Sequence, residues 1–216
     1  MKLIKYSHSC VRLEHQNKTL VLDPGNFSEV EQALTGADFI LITHAHPDHF
    51  EQDKVVAFLK ENPATEVYAP QTVIDQLAEE LEGAKLHNAV AEESWSLEGF
   101  DIKTFGGQHA LIHPLIRTID NVAYLINDSL YHPGDSLVLP QQLQVETLLL
   151  PIHAPWNKIQ EVIDFMISVG AKTAYPIHNA LLSENGHGII EGQLTNFGKQ
   201  YGTEYIHLNT GDEVEI

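Results

Sequence analysis

The sequence contains a single cysteine, Cys10, and few basic residues. One cysteine excludes a disulfide framework within the chain and a site built from several thiolates, so any metal ion needs nitrogen and oxygen ligands. Lysine and arginine total 12 against 30 aspartates and glutamates, which gives a formal net charge of −18 with neutral histidines. Because this acidity opposes binding to a phosphate backbone, we expect no nucleic-acid partner.

Long apolar runs are also absent from the sequence. No run approaches the roughly 20 residues that cross a bilayer, and charged residues interrupt the start of the chain, where a secretory signal is apolar. We therefore expect no membrane partner and a cytoplasmic location. No glycine- or serine-rich linker divides the 216 residues, of which 43% are hydrophobic. We expect one domain, 1–216, made of two similar halves at about 1–99 and 100–216.

The apolar pattern predicts strands followed by alternating strands and helices, twice over. In the first half, the predicted strands are 2–6, 11–14, 19–22, 39–42 and 66–69, and the predicted helices are 54–60 and 72–81. In the second half, the predicted strands are 100–105, 122–126, 129–132, 147–152, 173–177, 204–208 and 213–216, and the predicted helices are 157–169 and 190–201. This order indicates an α/β protein, a four-layer sandwich with both sheets inside.

Histidine is unusually abundant, with 13 residues, and its densest segment follows a predicted apolar strand. His44 and His46 are two residues apart, so in an extended chain their side chains point to the same side and can bind one ion together. Pro47 interrupts the hydrogen bonding of the strand and turns the backbone, which lets Asp48 and His49 face a second position. A purely structural role for all four side chains is disfavoured, because each unpaired buried polar group has a desolvation cost.

The motif His44-x-His46-x-Asp48-His49 resembles the signature of the metallo-β-lactamase superfamily. Three further segments resemble its remaining motifs in the same order: Gly106-Gly107-Gln108-His109, Tyr131-His132-Pro133-Gly134-Asp135 and Tyr175-Pro176-Ile177-His178. The resemblance covers nearly the whole chain and implies the αββα fold of that superfamily, which agrees with the four-layer pattern.

The resemblance also implies two metal ions held by imidazoles and carboxylates. One set of ligands is His44, His46 and His109, the other is Asp48, His49 and His178, and Asp135 bridges both ions. These ligands suit two Zn²⁺ ions, although Mn²⁺ or Fe²⁺ accept the same set. Asp48 and Asp135 are also the expected catalytic residues, since either could accept or relay a proton.

Such a site implies a hydrolase that attacks a small organic substrate, a lactone, an ester or a phosphodiester, through a metal-bridging hydroxide. Two alternatives stay open: a non-catalytic metal-binding protein and a dinuclear iron redox protein. In the redox branch of the superfamily a carboxylate stands where this chain has His46, and a flavin domain usually follows. Members of the superfamily often dimerise, so a homo-oligomer is a further expectation from the resemblance.

Other segments resemble a subgroup of small hydrolases related to the ascorbate-6-phosphate lactonase type. They are Tyr6-Ser7-His8-Ser9-Cys10, Leu22-Asp23-Pro24-Gly25 and Pro151-Ile152-His153-Ala154-Pro155-Trp156. Asp23 is either a carboxylate that orients a ligand imidazole or a turn former. His8 is either a wall of the pocket or a satisfied buried histidine, and His153 and Trp156 are candidates for pocket lining, with core packing favoured for the tryptophan.

The remaining histidines receive no role from the sequence. His207 is predicted at an exposed position, His187 in a loop that could flank the site, and His132 beneath the turn of Asp135. Arg117 and Lys158 are the cations near the motifs that could meet an anionic substrate, although both are more typical of solvated surface.

Overall fold

A computed structural model describes residues 1–141 and 143–216 of the chain. Its strands form two seven-stranded sheets, with the orders β14-β1-β2-β3-β4-β5-β6 and β13-β12-β11-β10-β9-β8-β7. The strands are β1 (Lys2–Lys5), β2 (Val11–His15), β3 (Lys18–Leu22), β4 (Phe39–Leu41), β5 (Glu66–Ala69), β6 (Lys85–Asn88), β7 (Ser94–Leu97), β8 (Phe100–Gly106), β9 (Val122–Ile126), β10 (Leu130–His132), β11 (Thr147–Pro151), β12 (Thr173–Ile177), β13 (Glu204–Tyr205) and β14 (Glu213–Glu215).

Within the described residues, five helices cover the outer faces of the two sheets. They are α1 (Val30–Leu34), α2 (Gln52–Glu61), α3 (Gln71–Glu80), α4 (Ile159–Val169) and α5 (Glu184–Tyr201). In α4, Val162, Phe165 and Met166 are buried, a spacing that places them on one helical face. Among the described residues, no helix combines the length and the apolarity needed to span a bilayer.

In the part of the chain that the structure describes, three hydrophobic cores separate the four layers. The middle core joins the sheets, with Leu41 from the first and Tyr124 from the second, while the outer cores pack Ile40 against α2 and α3 and Leu148 against α4 and α5. Neighbouring residues of β4 thus enter different cores, which explains its continuous apolar sequence. The predicted four-layer α/β sandwich is confirmed.

Parallel pairing in both sheets sets the position of the candidate site. β3, β4, β5 and β6 are parallel neighbours in the first sheet, as are β10, β11, β12 and β13 in the second. The carboxyl ends of parallel strands meet at one edge of a sheet, where ligands characteristically bind. Hydrogen bonds join the sheets at this edge: Val122 N donates to Thr43 O at 2.9 Å, and the Tyr124 hydroxyl lies within hydrogen-bonding distance of Ile42 O, at 3.0 Å, and of Tyr68 O, at 3.3 Å.

Several elements differ from the apolar pattern. α1, β6 and β7 are not predicted by it, and α5 begins at Glu184 rather than at 190. The first turns of α5 contain Gly186 and Gly188, which lower helix propensity and hide the periodicity. Ser183 caps this helix, and its hydroxyl accepts a hydrogen bond from Gly186 N at 3.3 Å.

Candidate metal centre

Seven side chains singled out in the sequence lie together at the edge where the strands end. This central cluster consists of His44, His46, Asp48, His49, His109, Asp135 and His178. Its members fall into two groups in which all potential ligand atoms lie within 4.8 Å of one another, and one group also includes His8. Residues up to 134 positions apart in sequence therefore converge because each follows the end of a strand or an adjoining turn.

Asp135 lies between the two groups. Its Oδ2 is 3.2 Å from His109 Nε2 and 3.1 Å from His178 Nε2, and its Oδ1 is 3.0 Å from His49 Nε2. Asn121, which the sequence analysis did not single out, accepts a hydrogen bond from Asp135 N at 2.9 Å. The carboxylate therefore contacts imidazoles of both groups, and a buried amide anchors its backbone.

Four imidazoles of the central cluster direct Nδ1 outward to an oxygen atom. The pairs are His44 with Thr43 Oγ1 at 2.9 Å, His49 with Asp23 Oδ2 at 2.6 Å, His109 with Ala110 O at 2.6 Å and His178 with His153 O at 2.6 Å. Carbonyls and carboxylates only accept, so Nδ1 carries the proton in the last three pairs. The Thr43 hydroxyl donates to Asp23 Oδ2 at 2.8 Å and thus accepts from His44. The Nε2 atoms of these four rings consequently face the interior.

The interior of the central cluster suits positively charged ligands. His109 Nε2 and Asp135 Oδ1 are buried without a hydrogen-bond partner, and His44 Nε2 faces His46 Nδ1 at 3.2 Å. Converging lone pairs and carboxylate oxygens repel one another, and an orphaned buried acceptor has a desolvation cost. Divalent cations between the two groups would remove both penalties, so these residues fit a metal centre.

Burial and mutual contacts set the charges of the site. Burial, with nearby His49, lowers the pKa of His44 well below its usual value. Burial alone would raise the pKa of Asp135, but the nearby imidazoles of His49, His109 and His178 hold this pKa well below its usual value. Burial opposes the charge of His49 as well, yet Asp135 and Asp23 raise its pKa well above its usual value. At neutral pH, Asp135 is thus ionised, and metal binding at His49 releases a proton.

Asp23 forms hydrogen bonds with Thr43 and His49, on the segment that begins the histidine motif. Its buried carboxylate accepts hydrogen bonds from Thr43 N at 2.7 Å and from His49 Nδ1. Asp23 also forms the turn, with φ of 46°, so it both bends the chain and contacts the His49 imidazole, while its role in orienting a metal ligand stays a prediction. Gly25 completes this turn, and a Cβ atom there would lie 1.8 Å from Asp48 O. The backbone of the histidine motif therefore packs against a position that only glycine can occupy.

His8 is buried beside Asp48. Its Nδ1 accepts from Ala180 N at 3.4 Å, so its Nε2 carries the proton and donates to Asp48 Oδ2 at 3.1 Å. Burial lowers the pKa of His8 to about 4, which keeps the ring neutral at pH 7. Burial opposes the ionisation of Asp48, but the hydrogen bond from His8 and nearby His49 hold its pKa well below the usual value. His8 is therefore a satisfied buried histidine beside Asp48, and its role as a wall of the substrate pocket stays a prediction.

Trp156 is half-buried over the central cluster, and the core packing favoured for it by the sequence is wrong. Its Nε1 donates to Asp135 Oδ2 at 2.9 Å, and its ring meets those of His109 and His178 edge to face, with centroids 6.1 and 6.2 Å away. His153 contributes its carbonyl to His178. The segment after β11 therefore supports the site mainly through one indole and one backbone oxygen.

The two candidate cations occupy other environments. Arg117 is exposed in the loop after His109. Lys158 lies at the start of α4, with its Nζ 3.4 Å from Glu161 Oε1. His132 packs beneath the Asp135 turn, where its Nε2 donates to Ser9 O at 3.1 Å. Nothing in these contacts places either cation in the central cluster.

Comparisons with known proteins agree with the geometry. A family model described as a beta-lactamase superfamily domain matches residues 2–178. A Mycobacterium tuberculosis protein is 38% identical over 200 residues, covering 90% of this chain and 92% of the relative. A metal-dependent hydrolase of Nanoarchaeum equitans is 22% identical over 236 residues, with both chains fully covered.

Solved structures share the fold at low sequence identity. A metallo hydrolase from the archaeon Ignicoccus hospitalis superposes with a TM-score of 0.75 at 17% identity, covering 99% of this chain and 97% of the other. A diiron β-hydroxylase from Streptomyces venezuelae superposes with a TM-score of 0.76 at 14% identity, covering 100% of this chain and 54% of the other. One fold thus supports hydrolytic and oxidative enzymes, and the side chains of the site must distinguish them.

Proposed function

The chain belongs to the metallo-β-lactamase superfamily and is a metal-dependent hydrolase, and from this premise we propose that two zinc ions act in its central cluster. The proposed substrate is a small lactone, ester or phosphodiester. The position of Asp135 carries the proposal, because its carboxylate contacts imidazoles of both ligand groups. A bridging carboxylate is typical of two-metal hydrolytic sites.

The proposed ligands of the first ion are His44, His46 and His109, and those of the second are Asp48, His49 and His178. Asp135 is shared. When bound, two divalent ions would make a water molecule acidic enough to lose a proton near neutral pH. They would also polarise the oxygen atoms of the substrate.

The chain's own residues have distinct roles in this proposal. Asp48 and Asp135 are ionised at neutral pH and accept or relay the proton that the reaction moves. His8 donates from Nε2 to Asp48, and Trp156 donates from Nε1 to Asp135, so each carboxylate keeps one oxygen oriented by a neutral donor. Asp23 orients His49 through its Nδ1–H.

A cavity beside His8 supports a small substrate. Its volume is about 290 Å³, and its lining also includes Phe27, Asn179 and Asn209. This volume lies at the small end of typical ligand sites. The formal charge of −18 does not exclude an anionic small molecule, because bound divalent ions concentrate positive charge at the centre.

A substrate screen tests this function. Purified protein loaded with Zn²⁺ is assayed on lactones, aryl esters, aryl phosphodiesters and β-lactams, beside Asp135→Asn prepared identically. We expect turnover of one class by the wild type and its loss in the variant. Equal turnover by both proteins at equal metal content would contradict the two-metal proposal.

Metal analysis of the purified protein separates the alternatives. Two equivalents of zinc with turnover support the hydrolase. Two equivalents of iron with oxygen consumption would favour the redox protein, and bound metal without any turnover would favour the binding protein. The lactonase likeness, the cytoplasmic location, the single domain 1–216, the homo-oligomer and the lack of nucleic-acid binding stay predictions.

A further inference from the structure

A second group of metal-capable side chains lies outside the central cluster. This outer cluster consists of His187, Glu191 and His207, whose potential ligand atoms all lie within 4.8 Å of one another. His187 and Glu191 are four residues apart on α5 and share a helical face. His207 follows β13, so two separate segments of the chain supply the three side chains.

Both imidazoles of the outer cluster direct Nδ1 to the same carboxylate. His187 Nδ1 is 2.5 Å and His207 Nδ1 2.9 Å from Glu191 Oε1. Within residues 1–141 and 143–216, Glu191 has no lysine or arginine as an ion-pair partner. Within the described residues, its carboxylate is therefore paired with two imidazoles rather than with a lysine or an arginine.

We propose that the outer cluster binds a third divalent ion, of the zinc type. Two imidazole nitrogens and one carboxylate are ligands that Zn²⁺ accepts, and a three-ligand set leaves positions for water. The side chains of His187, Glu191 and His207 are 24%, 15% and 39% exposed, so an ion can reach them from solvent and replace their mutual hydrogen bonds. The same exposure makes this site weaker than the buried central cluster.

The outer cluster lines a cavity that also reaches His8, the neighbour of Asp48. His187, His207 and His8 all line the cavity of about 290 Å³, and His8 contacts Asp48. The cavity's lysine, Lys5, donates from Nζ to Tyr6 O and to His8 O. An ion at the outer cluster would add positive charge to the cavity wall and would link α5 to the segment after β13.

Zinc counting tests the proposal independently of any turnover. Protein with a filled central cluster is titrated with ZnCl₂, and bound zinc is measured after gel filtration. We expect the wild type to bind one equivalent more than Glu191→Gln and one more than His207→Asn. His87→Asn is the matched control, because His87 also pairs with a glutamate, with its Nε2 3.1 Å from Glu66 Oε2, and its side chain is 42% exposed.

Spectroscopy identifies the ligands. One equivalent of Cu²⁺ is added to protein that holds zinc in the central cluster only. Its electron paramagnetic resonance spectrum should show nitrogen hyperfine coupling. The coupling pattern should simplify in His207→Asn and stay unchanged in His87→Asn. The proposal is overturned if the wild type binds no extra equivalent, if both outer-cluster variants retain it, or if His87→Asn loses it equally.

Discussion

The central and outer clusters use the same side-chain types in different surroundings. In the central cluster, four imidazoles direct Nδ1 to oxygens outside the cluster, which leaves their Nε2 atoms facing inward. In the outer cluster, two imidazoles direct Nδ1 to the cluster's own carboxylate. We therefore expect that ligand type alone does not set metal affinity: burial and external hydrogen bonds preorganise one set of ligands, while the other must exchange its internal hydrogen bonds for an ion.

The largest expected effect comes from breaking the bridge in the central cluster. Asp135→Asn removes the anion between the two ligand groups, and we expect kcat/KM to fall about 1,000-fold, equivalent to about 4 kcal/mol. Steady-state kinetics at matched metal content measure this loss. Zinc binding at the outer cluster should persist in the variant, and its disappearance would indicate that the two sites are one.

Metal removal should distinguish the two clusters by how fast a chelator empties them and by how much stability the loss of the ion costs. A brief exposure to a chelator should remove the outer ion first, and prolonged exposure should empty the central cluster. If the central site is filled at about 1,000 times its Kd, its loss costs about 4 kcal/mol. For a chain of this length that corresponds to a Tm lower by about 10 °C.

Differential scanning calorimetry before and after Zn²⁺ is restored measures the shift. An unchanged Tm in the fully stripped protein would mean that the central cluster does not bind metal strongly.

Removing one external hydrogen bond should weaken metal binding at the central cluster, which would make its affinity more like the one expected for the outer cluster. Asp23→Asn withdraws the carboxylate from His49 Nδ1, and we expect metal affinity to fall about 10- to 100-fold. Competition with a chromophoric chelator measures the change. Asp38→Asn is the control, because Asp38 accepts hydrogen bonds from Lys18 and from Thr19 N without contacting the centre. Equal losses in both variants would indicate a general effect on folding.

The smallest expected effect concerns the indole over the central cluster. Trp156→Phe removes the donor to Asp135 Oδ2, and we expect kcat/KM to fall about 5- to 10-fold, equivalent to about 1 kcal/mol. Trp95→Phe is the matched control, since Trp95 Nε1 has no hydrogen-bond partner and its ring stacks on Tyr68. A similar loss in both variants would assign the effect to packing.

The placement of His44, His46, Asp48 and His49 together could be predicted from sequence, because strand alternation and one proline set their directions locally. The resemblance made Asp23, His8 and Trp156 candidates, but spacing in the sequence could not predict which atoms they contact. Asp23 is 26 residues from His49, and Trp156 is 21 from Asp135. Contacts at such separations depend on which strands become neighbours, and an apolar pattern does not encode this.

The grouping of the outer-cluster residues was even harder to predict from the sequence. With α5 predicted to start at 190, His187 lies outside the helix, and its four-residue spacing from Glu191 carries no meaning. The observed start at Glu184 puts both residues on one face, and the chain after β13 brings His207 to them. Glycine-rich turns conceal the beginning of such a helix, since its cap and tertiary packing stabilise it more than its propensity does.

The sequence by itself determined the α/β class, the order of most strands and helices, and a histidine motif at a strand end. Periodicity and short spacings carry that information because they act through local geometry. Tertiary structure alone decided that β7 joins the second sheet, that β14 pairs with β1 in the first, and which oxygens orient each imidazole. Those outcomes depend on packing between distant segments, where burial and hydrogen bonding of the whole fold select one arrangement.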